Sequence, residues 1–550
     1  MRETIKKYHS NYLVIIFTLF YLIILFYLLR NSYSYLDPDL GWHLSVGQEI
    51  SQEQSLPKII KHNFVLAGEN WVDHEWLMNL VVYLLYKNFG YLVVNIFFAL
   101  IVVLTLIILT VTVYKFTQVK NTFYILILQL LGVLGMAPHL GVRLQEITIL
   151  NLALLLYILF HYNKYKNYQI LFYLLPLFYF WANSHAGFLI GLFVLFFWLT
   201  VKSIELLLTK IKNKWYFIDF SQLLASKELL IFFIFSLASF GVTLITPYQF
   251  SIYSFLTSYS NTYYLLHIQE WLPFYYLPVE YKKLVYYALL VVTLFLLVYS
   301  SLKKKKEEIT NEKTEEYKIN LWLLLSSTLF LFLAAKSNRH FPLLFIISFP
   351  LLVGFSSKYL YLEKDFIKQY FGRFIYLIYF YLMAGLLLAA ISNFIKTNFI
   401  TDPFFSFCST YPCGAVRFLT NHPEENKLKL FNEFDFGGYL IWLLPEEQLF
   451  IDGRFPQYLV NQQTILQEYD EFFKPGKAEE KLKQYDVETV LLKKEKPLKL
   501  SWFEKHLLLI NLTGVKKYKN NLEEYLQSAK NWSKIYDDAN SSIYVKKSES

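Results

Sequence analysis

Charge is what the long apolar runs of this chain lack. Asp, Glu, Lys and Arg make up 17% of its 550 residues, against 55% hydrophobic, and almost none of them falls inside the runs. A proton-coupled transporter carries carboxylates at mid-membrane depth and an ion channel shows a polar pore-lining face; the pattern argues against both. Cysteine is scarcer still: the only two are Cys408 and Cys413, in CSTYPC. In an oxidising compartment their spacing permits a disulfide without requiring one. A zinc-protease signature is missing too, because His74-Glu75 is followed by Trp76, Leu77 and Met78 with no second histidine. No small-x-small cleavage site follows the first apolar run, 11–29, which reads as a retained span.

What is present is a series of apolar runs separated by short polar loops, with a mean hydropathy of +0.34. A soluble chain of this length would form several domains with alternating polar faces. About 20 apolar residues cross a bilayer as a helix that satisfies its own backbone groups. The expectation is therefore a polytopic α-helical membrane protein. Candidate spans are 11–29, 91–114, 122–137, 147–161, 168–182, 187–208, 229–246, 284–302, 320–335, 341–357 and 374–392, about eleven in all. Segment 76–87 is too short to span and is expected at the interface, with Trp71 and Trp76 as membrane anchors.

The net charge of +9 does not point to nucleic acid, because the lysines sit in short loops where a topogenic role explains them. The basic loops are the N-terminus (Arg2, Lys6, Lys7), 115–120, 162–167, 202–227, 303–318 and 358–373. They alternate, so they share one side, the cytoplasmic one. Loops 31–75, 138–146, 183–186, 247–283 and 336–340 then lie outside, as does the C-terminal region 393–550. The chain reads as a multi-pass protein of the cytoplasmic membrane with a cytoplasmic N-terminus and an extracytoplasmic C-terminal domain.

The polar residues gather in those outer loops. In DPDLGWHLSVGQEI, Asp39 is placed to cap a helix over 40–52, Pro38 holds Asp37 extended, and Asp39 and His43 share a helix face. One reading is a cap beside a solvated acid; the other is a general base or metal ligand at the membrane surface. The motif leaves both open. NWVDHEWL adds Asp73, His74 and Glu75 in the same loop. The patches GVRLQE, WANSHAG, HIQEWLP and SNRHFP bring Arg143, Glu146, His185, Glu270, Trp271, Arg339 and His340 to outer ends of later spans. One such residue is usually an anchor or cap; four patches on one side suggest a shared polar cavity. Arg143, Arg339 and His340 could hold an anionic phosphate, arginine by its bidentate fork.

A DPD-type acidic pair in a long first outer loop after one N-terminal span resembles the polyprenyl-phosphate-dependent membrane glycosyltransferases of the GT-C superfamily. The ordered run DPDLGWHLSVGQ, WVDHEWL, WANSHAG, EWLP, NRHFP and GGYLIWLLP with FIDGR is similar to a bacterial set of GT-C-like proteins. The resemblance implies a base or metal ligand at Asp37 or Asp39.

From about 393 the apolar runs stop. LKLFNEF (428–434), QLFIDGR (448–454), VETVLLKK (487–494) and SSIYVKK (541–547) read as strands, with helices at 414–421, 437–444, 461–470 and 475–485, which suggests a small α/β domain. In FDFGGYLIW, Gly437 and Gly438 allow a close backbone approach and Asp435 falls at the helix start. This stretch resembles the aromatic-Asp-aromatic-Gly motif of oligosaccharyltransferase catalytic subunits, which contacts the acceptor, although Glu433 and Phe434 replace the paired tryptophans. Asp452 and Arg454 of IDGR are either a salt-bridged turn or part of an acceptor site.

The sequence thus supports a GT-C-like transmembrane domain, 1–392, whose first outer loop is 31–75, followed by the extracytoplasmic α/β domain, 393–550. The expected activity is inverting transfer of a hexosyl or pentosyl group from a polyprenyl-phosphate donor. Asp37 and Asp39 are the catalytic candidates. His43, Asp73, His74, Glu75, Arg143, His185, Glu270, Trp271, Arg339 and His340 are candidates for substrate binding, and Asp435, Asp452 and Arg454 for acceptor binding. A divalent metal is a candidate cofactor. Membrane lipids and a glycan, lipid or protein acceptor are the expected partners, without nucleic acid. The alternatives are an inactive scaffold, a polysaccharide-export partner or a lipid-carrier flippase.

Overall fold

The computed structural model describes residues 2–32, 35–117, 122–210, 218–260, 262–276, 280–307, 320–359, 380–395, 402–423, 429–494, 500–510 and 520–547. Most of the basic loops 303–318 and 358–373 lies outside them. In chain order the helices begin with α1 (Arg2–Ser32), α2 (Leu40–Glu53), α3 (Trp76–Phe89), α4 (Tyr91–Phe116), α5 (Thr122–Met136), α6 (Gln145–Tyr165), α7 (Leu174–Ala182), α8 (Phe188–Lys210) and α9 (Ser226–Val242). They continue with α10 (Ser251–Ser258), α11 (Thr262–His267), α12 (Tyr281–Glu307), α13 (Leu321–Lys336), α14 (Phe341–Tyr359) and α15 (Phe380–Ile395). C-terminal to these come α16 (Cys413–Asn421), α17 (Gly437–Leu443), α18 (Ile465–Glu471), α19 (Ala478–Gln484), α20 (Trp502–His506) and α21 (Asn521–Ser528).

The chain gathers into two compact units. The first comprises Met1–Ser32, Ile96–Gln249 and Glu270–Asn398, and is helical. Among the described residues seven helices are long and apolar enough to cross a membrane: Leu13–Asn31, Tyr91–Phe116, Thr122–His139, Gln145–Tyr165, Phe188–Lys210, Tyr281–Tyr299 and Asn338–Ser356. The other four expected spans fall on shorter helices, at Tyr168–Ala182, α9, α13 and α15. Length separates the two sets, since a helix rises 1.5 Å per residue. Large apolar side chains such as Phe295, Leu230 and Ile234 stay exposed on these helices, as a lipid-facing surface requires. The chain is a multi-pass membrane protein.

The second unit comprises Tyr33–Asn95, Phe250–Gln269 and Phe399–Ser550. It is therefore wider than the region 393–550: most of the loop 31–75 belongs to it, because that loop packs on the C-terminal sheet. The strands are β1 (Lys429–Asn432), β2 (Gln448–Leu449), β3 (Leu459–Val460), β4 (Gln463–Thr464), β5 (Thr489–Lys493), β6 (Trp532–Asp537) and β7 (Ser541–Lys546). Five form one sheet in the order β2-β1-β5-β7-β6, with β1 parallel to β2 and β5, and β7 antiparallel to β5 and β6. Beyond β2, residues 62–64 continue the edge: the N–H of Phe64 donates to the Leu449 carbonyl and that of Leu449 to the His62 carbonyl. Asn63 Nδ2 seals the junction by donating to the Phe450 carbonyl.

Candidate functional site

In the second unit the DPD turn leads directly into α2. Asp37 is buried, and its Oδ1 accepts the Asp39 N–H at 2.9 Å, closing an Asx turn across Pro38. Asp39 stands at the N-cap position, but its carboxylate caps no backbone N–H. It accepts instead from the Trp42 indole Nε1–H at 2.9 Å. The expected cap is corrected accordingly: an indole three residues on presents a fixed donor and outcompetes the backbone.

The turn is enclosed by backbone from far along the chain. A side chain on Gly438 would lie 2.2 Å from the Pro38 carbonyl oxygen, and one on Gly453 would lie 2.3 Å from Asp39 Oδ1. The two positions need glycine because nothing larger fits against the turn. Gly437 sits against Asp452 in the same way. FDFGGYL and FIDGR are thus the walls of the DPD turn. The Tyr411 hydroxyl donates to the Leu36 carbonyl at 2.9 Å, and the Cys408–Cys413 disulfide closes the loop that carries Tyr411.

The acceptor candidates have other partners. Asp452 and Arg454 are both buried and pair bidentately, Nε to Oδ1 at 2.9 Å and Nη2 to Oδ2 at 3.0 Å. The guanidinium lies over Trp71 and Phe455, so IDGR is a salt-bridged turn and Trp71 is buried rather than a membrane anchor. Asp435 is exposed and pairs with Lys493 at 3.1 Å. It precedes α17 in the 3-10 turn Phe434–Phe436 and caps nothing, since a phenylalanine holds the N-cap position.

Helices α2 and α3 pack together, with Gly47 letting the backbone of Asn79 approach. Across this contact His43 Nδ1 meets Asn79 Oδ1 at 2.6 Å, while Asn79 Nδ2 donates to both carboxylate oxygens of Asp73 at 3.0 Å. Burial pushes the Asp73 carboxyl up to about 7 against the lowering effect of its hydrogen bonds from Asn79 and Glu75. Burial likewise holds the His43 imidazole down at about 3, with the bond to Asn79 opposing it. His74 Nε2 lies 3.6 Å from Glu75 Oε1. Trp76 lines an open cavity of about 440 Å³ with Ile50, Gln54 and Leu80 among its walls. Segment 76–87 is a helix with Met78, Asn79, Val82 and Tyr83 buried.

In the first unit, Glu270 lies between two arginines. Arg143 donates to its Oε1 at 2.5 Å and Arg339 to its Oε2 at 3.3 Å. Burial would raise this carboxyl, but Arg143 and Arg339 overcome it and bring it down to about 2. Arg339 stacks over Trp271 at 5.0 Å, and Trp271 meets the His340 ring edge-on at 5.8 Å. His185 is set apart: its Nδ1 accepts the Gly187 N–H at 2.9 Å and lies 2.8 Å from Thr148 Oγ1, organising the turn into α8. Glu146 is buried, and its Oε1 accepts the Gly141 N–H.

Lys283, His139 and Asn79 were missed at the level of sequence. Lys283 is fully buried, paired with Glu280, with His139 Nε2 at 2.8 Å and Asn338 Oδ1 at 3.2 Å. One lysine at the start of an apolar run looks like a topogenic charge, and nothing local marks it as internal. Among the described residues no group of three or more His, Cys, Asp or Glu is arranged to hold a metal ion.

No family model and no curated protein matches the chain. Among solved structures it is similar to the crystal structure of the Archaeoglobus fulgidus oligosaccharyltransferase in the apo form. The identity is 10% and the TM-score 0.49, over 89% of this chain and 70% of that one. It is also similar to ArnT from Cupriavidus metallidurans bound to undecaprenyl phosphate, at 10% identity and a TM-score of 0.44, over 96% of this chain and 97% of that one. Neither likeness reaches 0.5, and the site's own residues carry the functional reading.

Proposed function

We propose that the protein transfers a glycosyl group from a polyprenyl-phosphate-linked donor to an acceptor hydroxyl outside the cytoplasmic membrane, inverting the anomeric carbon. The observation that supports this most directly is the enclosed DPD turn: two carboxylates held by Asp39 N–H and Trp42 Nε1–H, with Gly453 pressed against the Asp39 carboxylate and Gly438 against the Pro38 carbonyl between them. A built carboxylate of this kind suits a general base. The acceptor hydroxyl gives its proton to Asp37 or Asp39, its oxygen attacks the anomeric carbon, and the carbon–oxygen bond to phosphate breaks. The polyprenyl phosphate leaves with the bonding electrons. In the first unit, Arg143 and Arg339 supply an anion-binding pair whose counter-ion is Glu270. The outside location is supported by the alternating basic loops and by the disulfide, a bond of oxidising compartments.

The test is transfer in membranes from a radiolabelled glycosyl polyprenyl phosphate to endogenous acceptor. Asn at position 37 still accepts the Asp39 N–H, and Asn at 39 still accepts from Trp42, so both variants keep the turn. Asp37→Asn or Asp39→Asn lowers transfer by about 10²-fold or more, the usual size of a general-base contribution. Full activity in both single variants sinks the reading and leaves DPD as a structural turn, as a scaffold would have it.

A further inference from the structure

The buried line His43–Asn79–Asp73 has a direction that its hydrogen bonds dictate. Asp73 presents two acceptor oxygens, and both face Asn79 Nδ2. That contact orients the Asn79 amide, because only its NH₂ can donate. Its Oδ1 then faces His43 Nδ1 at 2.6 Å, and an oxygen acceptor there requires Nδ1 to carry the proton. A neutral imidazole has one N–H. The remaining nitrogen, Nε2, is an acceptor, and it has no hydrogen-bond partner among the described residues. The ring packs on Trp42, with centroids 3.7 Å apart, and Trp42 in turn holds Asp39. Burial keeps the imidazole neutral through the physiological range.

We propose that Asn79 is a positioning residue which, oriented by Asp73, fixes His43 as the Nδ1–H tautomer so that Nε2 accepts a hydrogen bond from a sugar hydroxyl beside the DPD turn. The inference rests on the reading that this turn is the reacting site. Its role is distinct from that of the carboxylates: Nε2 orients a hydroxyl and takes no proton. The relay is set by one carboxylate, so exchanging that carboxylate for an amide reverses it. In Asp73→Asn, Oδ1 keeps the Glu75 N–H and Nδ2 faces Asn79, whose amide turns over and presents its NH₂ to His43. The imidazole then switches to Nε2–H. In the double variant Asp73→Asn/Asn79→Asp, the new amide donates to the new carboxylate, which again accepts from Nδ1–H.

The experiment is nitrogen-15 solid-state NMR of the full chain, labelled at histidine and reconstituted in lipid bilayers, with His43 assigned by difference from His43→Gln. At pH 8.5, where the Asp73 carboxyl is ionised, the expected pattern is Nδ1–H in the wild type, Nε2–H in Asp73→Asn, and Nδ1–H again in the double variant. Membrane transfer follows it, falling about tenfold in the single variant, the worth of one misdirected hydrogen bond, and recovering in the double. A wild-type His43 protonated on Nε2, or one unmoved by Asp73→Asn, overturns the relay. Transfer indifferent to a tautomer that does switch overturns the positioning role. A switching tautomer in a protein without any transfer activity leaves the relay standing and refutes the glycosyl-transfer reading instead.

Discussion

Asp73 and His43 bond to the same amide, yet their burial ties stability to pH in opposite senses. The Asp73 carboxyl is raised from 3.8 to about 7. Between those limits the folded state holds a proton that the unfolded chain has released, so this group's contribution falls as pH rises from about 4 to about 7. The His43 imidazole is lowered from 6.5 to about 3. Over that range the unfolded chain takes up a proton that the folded state refuses, so its contribution falls as pH drops below about 6.5. Each pH unit is worth 1.36 kcal/mol per group. From pH 6.5 to pH 4 the two slopes cancel, and the wild type varies little on their account. Removing one exposes the other. Asp73→Asn loses about 3 kcal/mol on acidification from pH 6.5 to pH 4, whereas His43→Gln gains about as much. The assay is thermal unfolding of the purified protein in detergent at half-unit steps from pH 4 to pH 7.5, followed by tryptophan fluorescence. The two variants diverge in opposite directions from the wild-type profile. If all three profiles run parallel, the buried relay does not exist as described.

Three further substitutions test the charged clusters. Asp452→Asn leaves the Arg454 guanidinium buried without its counter-charge, and such a loss costs about 3–5 kcal/mol; Asp435→Asn, which breaks an exposed pair, costs under about 1 kcal/mol. Equal melting temperatures for these two variants would refute the burial argument. Glu270→Gln removes the carboxylate competing for Arg143 and Arg339, so a short-chain polyprenyl phosphate binds at least about tenfold more tightly, measured by calorimetry. Weaker binding would make Glu270 part of the binding group rather than its counter-ion.

The seven long apolar helices and the strands β1, β5 and β7 were legible because each is built on a long or continuous apolar run. The strand β6 was not. Its sequence WSKIYD alternates with charge, as an edge strand with one solvated face does. QLFIDGR yielded a strand of only two residues because Asp452 and Arg454 fold back on each other. The glycines of FDFGGY announced a close approach, but what approached was Pro38, some 400 positions earlier, and no local pattern carries that pairing. Asn79 was invisible for another reason: one amide inside WLMNLVVYLL looks like a tolerated polar residue until its two neighbours are placed. Trp71 looked like an interfacial anchor because an indole beside a helix usually is one; the Arg454 cation beneath it changes its role.

The contacts that enclose the DPD turn also set a timetable. Tyr411 reaches back 375 residues to the Leu36 carbonyl, and Gly438 and Gly453 close on Pro38 and Asp39 from still later in the chain. At 5–20 residues per second, the interval between synthesis of the turn and synthesis of its walls is on the order of tens of seconds. During that time the first loop has left the ribosome with its carboxylates unassembled. A chain halted after Ile395 but before Gly438 would carry the described apolar helices and no finished turn, so the turn is completed only when translation is nearly done.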